Sequence, residues 1–111
     1  MNSDIVKYLK DIQTCIESID LHLGGKQVFS EFQKSITIRR AVEREFEIIG
    51  EATKRILSIQ PDFKLTGLRK IINLRNLVAH AYDSVDEIAL WNIIVNHIPT
   101  LKKEVDELLN G

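Results

Sequence analysis

Cysteine, proline, glycine and aromatic residues are all scarce in this chain. There is one cysteine in 111 residues, and Cys15 therefore has no intrachain disulfide partner. Two prolines and five glycines encode few turns, too few for the many short hairpins of a sandwich or barrel. Aromatics make up 6% of the residues against 44% apolar in all, so the core is aliphatic, which suits packed helices. No apolar run approaches membrane-spanning length, so no membrane association is expected. The opening MNSDIVKYLKDIQ carries charges where a signal peptide would be apolar. A reducing, cytoplasmic setting is the default expectation. There is no glycine-rich phosphate loop, and His22 and His97 lack partners at metal-ligand spacing, so neither cofactor nor metal is expected.

The net charge of −1 argues against a general nucleic-acid coat. The charge is unevenly spread, however. Residues 34–75 hold ten Lys/Arg against five acids, which leaves the remainder acidic. Such a segment suits a phosphate-binding patch, and it equally suits ordinary solvated helix faces.

Apolar residues recur at three- and four-residue steps throughout, which predicts an all-α fold with 1–111 as a single domain. Ile5, Tyr8, Leu9, Ile12, Cys15, Ile16 and Ile19 mark a first helix from about Asp4 to Leu23, stopped by Gly24-Gly25. Cys15 lies among isoleucines and reads as a buried structural thiol. A second helix is expected from Ser30, where Ser30 and Gln33 have capping-box spacing, to Pro61. A third runs from Thr66 to the His80–Asp83 region. A fourth follows a Ser84/Glu87 capping box and is broken at Pro99. The expected architecture is an up-and-down bundle of four to five helices. Trp91 reads as a core or dimer anchor.

Polar chemistry concentrates in RNLVAHAYDSVD, residues 75–86. On a helix, Asn76 and His80 lie about 40° apart on one face, and Arg75 and Tyr82 within about 20° of each other. Histidine can give or take a proton near neutral pH, and arginine grips phosphate bidentately. Together they could cleave a phosphodiester without a metal, His80 moving a proton and Arg75 stabilising charge on phosphorus. Arg, Asn and His near a helix C-terminus also suit carbonyl capping, and spacing alone favours that simpler role. Glu47 and Glu51, one turn apart on the second helix, could reach the same cleft, or pair on the surface with Lys54 or Arg55.

RNLVAHAY resembles the HEPN signature of an arginine, four residues, a histidine, one residue and a tyrosine, with asparagine after the arginine. AVEREFEIIGEATKRI, residues 41–56, resembles the second-helix block of the HepT-like branch of that family. Residues 68–105, including the Trp91 and Pro99 positions, resemble its third and fourth helices. The resemblance spans nearly the whole chain. It implies an all-α, HEPN-like homodimer that acts as a metal-independent ribonuclease toxin on an RNA substrate. Its partner would be an MntA-like minimal nucleotidyltransferase antitoxin, in a type VII-like pair. Arg75 and His80 match the family's catalytic positions, Asn76 its usual neighbour, and Tyr82 the tyrosine that the antitoxin modifies with AMP. AMP on Tyr82 would add bulk and negative charge to a phosphate-binding cleft. Ala81 departs from the glycine frequent in relatives and stiffens the backbone there. The alternatives are a non-catalytic HEPN module that holds nucleotide or a nucleotidyltransferase, and a purely structural helical dimer.

Overall fold

Every regular element among the described residues, 1–67 and 87–111 of this computed structural model, is a helix. The all-α expectation holds. The first helix, α1 (Ser3–His22), buries Ile5, Leu9, Ile12, Cys15, Ile16 and Ile19 along one face. Asn2 caps it, its side-chain oxygen accepting from the amides of Asp4 and Ile5 at 2.7 and 3.2 Å. Gly24 and Gly25 stop it at φ of 73° and 74°, a region open to glycine, with the Gly25 amide donating to the Asp20 carbonyl at 2.9 Å.

The single second helix expected from Ser30 is instead two, α2 (Phe29–Lys34) and α3 (Ile36–Ile59). The break is Ser35, extended at φ −100° and ψ 105°, whose hydroxyl accepts from the Ile38 amide at 3.2 Å. Ser35 is therefore a capping serine. Ser30 lies inside α2, whose cap position, Val28, offers no side-chain acceptor. Gln60 is extended, as the residue before Pro61 prefers to be, and α3 ends at Ile59. The expected third helix beyond Thr66 and the Ser84 capping position fall outside the described residues.

Two helices close the chain, α4 (Glu87–Asn96) and α5 (Ile98–Asn110). The break between them is at His97 rather than Pro99. Pro99 sits in the first turn of α5, where its missing N–H is no loss.

The core forms as α1 packs along α3, α5 closes on α1, α2 on α3 and α4 on α5. Phe32, Phe46, Ile49, Leu90 and Leu101 are fully buried within it. Trp91 is half-buried against Phe29 and Phe32, with ring centroids 5.6 and 5.3 Å away, so it anchors α2 to α4. Phe63 and Leu65 fasten the loop after α3 to the core, and the Thr66 amide donates to Glu104 of α5 at 2.8 Å.

One polar link ties α1 to α5. Gln13 donates to Asp106 at 2.9 Å, and Lys102 donates to the other carboxylate oxygen at 2.8 Å. The hydrogen bond from Lys102, then that from Gln13, holds the Asp106 carboxyl below its ordinary value of 3.8. A lowered carboxylate stabilises the fold fully above its unfolded value and loses that contribution as pH falls through the folded one. Asp106→Asn should therefore be less stable than the wild type near neutral pH. In urea titrations the difference should shrink as pH drops below 3.8.

Thr53 shows the opposite situation. Its hydroxyl is fully buried in the α3 face and has no hydrogen-bond partner among the described residues. An orphaned buried hydroxyl costs about 1–3 kcal/mol, and valine has the same shape without the polar atom. Thr53→Val should raise stability by roughly 1 kcal/mol and the melting midpoint by about 4 °C. A lower midpoint in calorimetry would contradict this.

Candidate functional site

The four-residue spacing of Glu43, Glu47 and Glu51 places them on one face of α3. Glu47 pairs with Arg44 at 3.2 Å, and Glu51 with Arg55 at 3.6 Å. The structure thus brings Glu47 and Glu51 together, and it supplies the Arg55 surface pairing that their spacing suggested. Opposite them on α1 stands Tyr8, with the Lys7 ammonium 5.2 Å and the Arg55 guanidinium 5.9 Å from its ring centre. Between the two helices opens a cavity of about 670 Å³, lined among others by Lys7, Asp11, Arg44, Glu47, Glu51 and Arg55. Its three cations and three carboxylates balance, so this groove alone does not concentrate anions.

Pairing also tempers the basic central segment. Arg39 donates to the Gln33 carbonyl and lies 3.5 Å from Glu87, tying α3 to the start of α4. Glu43 was not singled out by sequence reasoning. Burial pushes its carboxyl above the ordinary value, and Glu47 adds to the rise, against the pull of Arg39 and Arg40. The signal for it was present, since Glu43 extends the Glu47/Glu51 spacing by one more turn.

Arg75, Asn76, His80 and Tyr82 lie outside the described residues. Among the described residues, no group of three or more His, Cys, Asp or Glu side chains is placed to hold a metal, and no helix is long and apolar enough to cross a membrane. Nε2 of His22 donates to the Glu45 carboxylate at 3.1 Å. Burial, reinforced by Glu45 and Asp11, pushes the Cys15 thiol up to about 12, so it is no nucleophile.

A family model described as "Ribonuclease HepT-like" matches residues 12–108, which takes in both the α3 block and the RNLVAHAY segment. The chain belongs to the HepT-like ribonuclease family. It is 35% identical over 105 residues to "Probable ribonuclease HepT" of Thermococcus cleftensis, covering 91% of this chain and 92% of that one. A Methanocaldococcus jannaschii protein provisionally named an RNase is 32% identical over 105 residues, 94% of this chain and 83% of its own. A second from that organism, similarly named, is 29% identical over 107 residues, covering 96% and 85%. No solved structure matches. Membership in a HepT-like family agrees with the HEPN resemblance, and the expectation of a ribonuclease is met at the level of the family.

Proposed function

We propose that this chain is a metal-independent endoribonuclease toxin, a cytoplasmic homodimer held in check by a minimal nucleotidyltransferase that places AMP on Tyr82. The observation that carries the reading is the extent of the family match. It runs through residues 75–82, so the arginine, asparagine, histidine and tyrosine of RNLVAHAY lie within the matched region. In this reading, His80 accepts the proton of a ribose 2′-hydroxyl, whose oxygen attacks the adjacent phosphorus. The bond to the 5′-oxygen breaks and that oxygen takes up a proton, leaving a 2′,3′-cyclic phosphate and a 5′-hydroxyl. Arg75 stabilises charge on the phosphoryl oxygens, and Asn76 orients His80 or bonds phosphate.

The purified protein should cut RNA in the presence of EDTA and leave cyclic phosphate ends. Loss of cutting on chelation would remove metal independence, and cutting of 2′-deoxy linkages would remove the 2′-hydroxyl as nucleophile. Expression should arrest growth, with relief by a neighbouring nucleotidyltransferase. Mass spectrometry of the co-expressed protein should find AMP on Tyr82, and an unmodified Tyr82 would rule out that route of neutralisation. The balanced charge of the α1–α3 groove, which does not concentrate the anionic backbone of RNA, favours one rival, a HEPN module that holds a nucleotidyltransferase without cutting. That rival predicts binding with no cleavage.

A further inference from the structure

A second groove differs from the α1–α3 groove in both floor and charge. Helix α5 packs along α1, whereas α4, interrupted at His97, packs on α5. Between the end of α1 and the α4–α5 junction opens a cavity of about 590 Å³. Buried Ile16, Ile19, Ile94 and Ile98 form its floor, and half-buried Leu23 lines a wall. At its lip stands Leu21, 77% exposed, the most exposed large apolar side chain among the described residues.

The charges at the mouth are one-sided. Lys102 is held by Asp106 at 2.8 Å, and Lys26, beside the lining residue Gln27, is held by Glu31 at 3.2 Å. Glu17 and Asp20 also line the cavity, and neither carboxylate makes a hydrogen bond or ion pair with a described residue. Asp106 holds the Lys102 ammonium first, and Glu17 adds only a smaller pull. The carbonyl end of α1 lies at the same mouth and adds to its negative field. The anionic backbone of RNA would be repelled here.

We infer that this cavity is the docking site for a basic, amphipathic segment of another protein, which inserts large aliphatic side chains and sets lysine or arginine beside Glu17 and Asp20. The cavity lies within the roughly 300–1,000 Å³ of pockets that enclose a ligand, and anchors three and four residues apart on a helix would fill it. Glu17, Asp20 and Leu21 repeat that spacing on α1, so the acids and the apolar lip face one way. Burial of the anchors supplies the affinity. The two rim carboxylates, without internal partners, select the sign of the flanking charge. The assignment stands apart from the reaction proposed above, since no residue of RNLVAHAY enters it.

Fluorescence anisotropy with a labelled leucine/lysine amphipathic peptide tests this. The peptide should bind the purified protein, and a leucine/glutamate peptide of the same pattern should bind roughly 10-fold more weakly or worse. Leu21→Asp should weaken binding by about 10-fold or more while circular dichroism stays wild-type, because that side chain lies in solvent. Glu17→Gln/Asp20→Asn should cost about 10-fold at low salt and less at high salt. Asp4→Asn/Asp62→Asn removes the same charge from two other exposed positions and should leave binding unchanged. Amide resonances that move with the peptide should cluster at residues 16–27 and 94–102. The inference fails if both peptides bind alike, if both double variants behave alike, or if the shifts lie elsewhere. Rival occupants would overturn it too. Decylamine that displaces the peptide at equal affinity would mark a site for a small amphiphile, and displacement by RNA would mark a nucleic-acid surface. A wild type whose self-association disappears in Leu21→Asp would put a second copy of this chain in the groove.

Discussion

His80→Ala is expected to lower RNA cleavage by about 10²–10⁴-fold, the range contributed by a positioned proton donor or acceptor. Arg75→Ala should cost about 10²–10³-fold, comparable to losing one donor that stabilises developing negative charge. Arg75→Lys should recover only part of this, since an ammonium keeps the charge and loses the bidentate fork. The two effects should not multiply in the double variant, because both residues act on one transition state. The measurement is the rate on a defined RNA, with each variant purified alongside the wild type. Equal activity in all of them would point to a contaminating nuclease and end the catalytic reading. Binding of a 2′-deoxy analogue separates the two roles. Arg75→Ala should weaken binding through lost phosphate contact, whereas His80→Ala should leave it near wild type.

Phe46→Ala should be the most damaging single change to the fold. Phe46 is 1% exposed, midway along α3, on the same face as Val42 and Ile49. Truncating a buried phenylalanine costs about 3–5 kcal/mol, partly for lost transfer and partly for the cavity left behind. Small domains have roughly 5–15 kcal/mol in total, so the variant should sit close to the unfolding threshold at 37 °C. Phe46→Leu, which keeps most of the volume, should cost about half as much or less. Urea denaturation followed by circular dichroism reads both. A Phe46→Ala protein within 1 kcal/mol of wild type would mean that the α1–α3 seam can collapse around the missing ring.

What the sequence revealed and what it hid divide along physical lines. The first helix was legible because six buried residues keep a strict helical spacing and two glycines end it. The break at Ser35 was not. Phe32 and Ile36 preserve a four-residue step across it, so the apolar pattern runs on although the backbone turns extended for one residue. Ser30 has the capping-box spacing, and only the backbone geometry shows that Ser35 is the capping serine. Pro99 was visible as a breaker, but its position in the first turn of α5 moved the break to His97. Gln13–Asp106 and His22–Glu45 join residues far apart in sequence, and no local pattern announces them. The orphaned Thr53 hydroxyl is likewise a property of packing. For the candidate site, Glu47 and Glu51 were legible as a pair from their spacing, and Glu43 would have been. Arg75, Asn76, His80 and Tyr82 were legible as a local cluster, and the family match now covers them.

The α1–α3 seam also carries its own clock. The chain's one thiol sits inside that seam at 5% exposure, with its proton held until about pH 12. A maleimide can therefore react only with molecules in which the two helices have parted. Under fast reclosing, the labelling rate counts the open fraction. That count needs no spectroscopic signal, so it can be taken with RNA or a second protein in the same tube. Any ligand that binds the closed form should slow labelling in proportion to its occupancy.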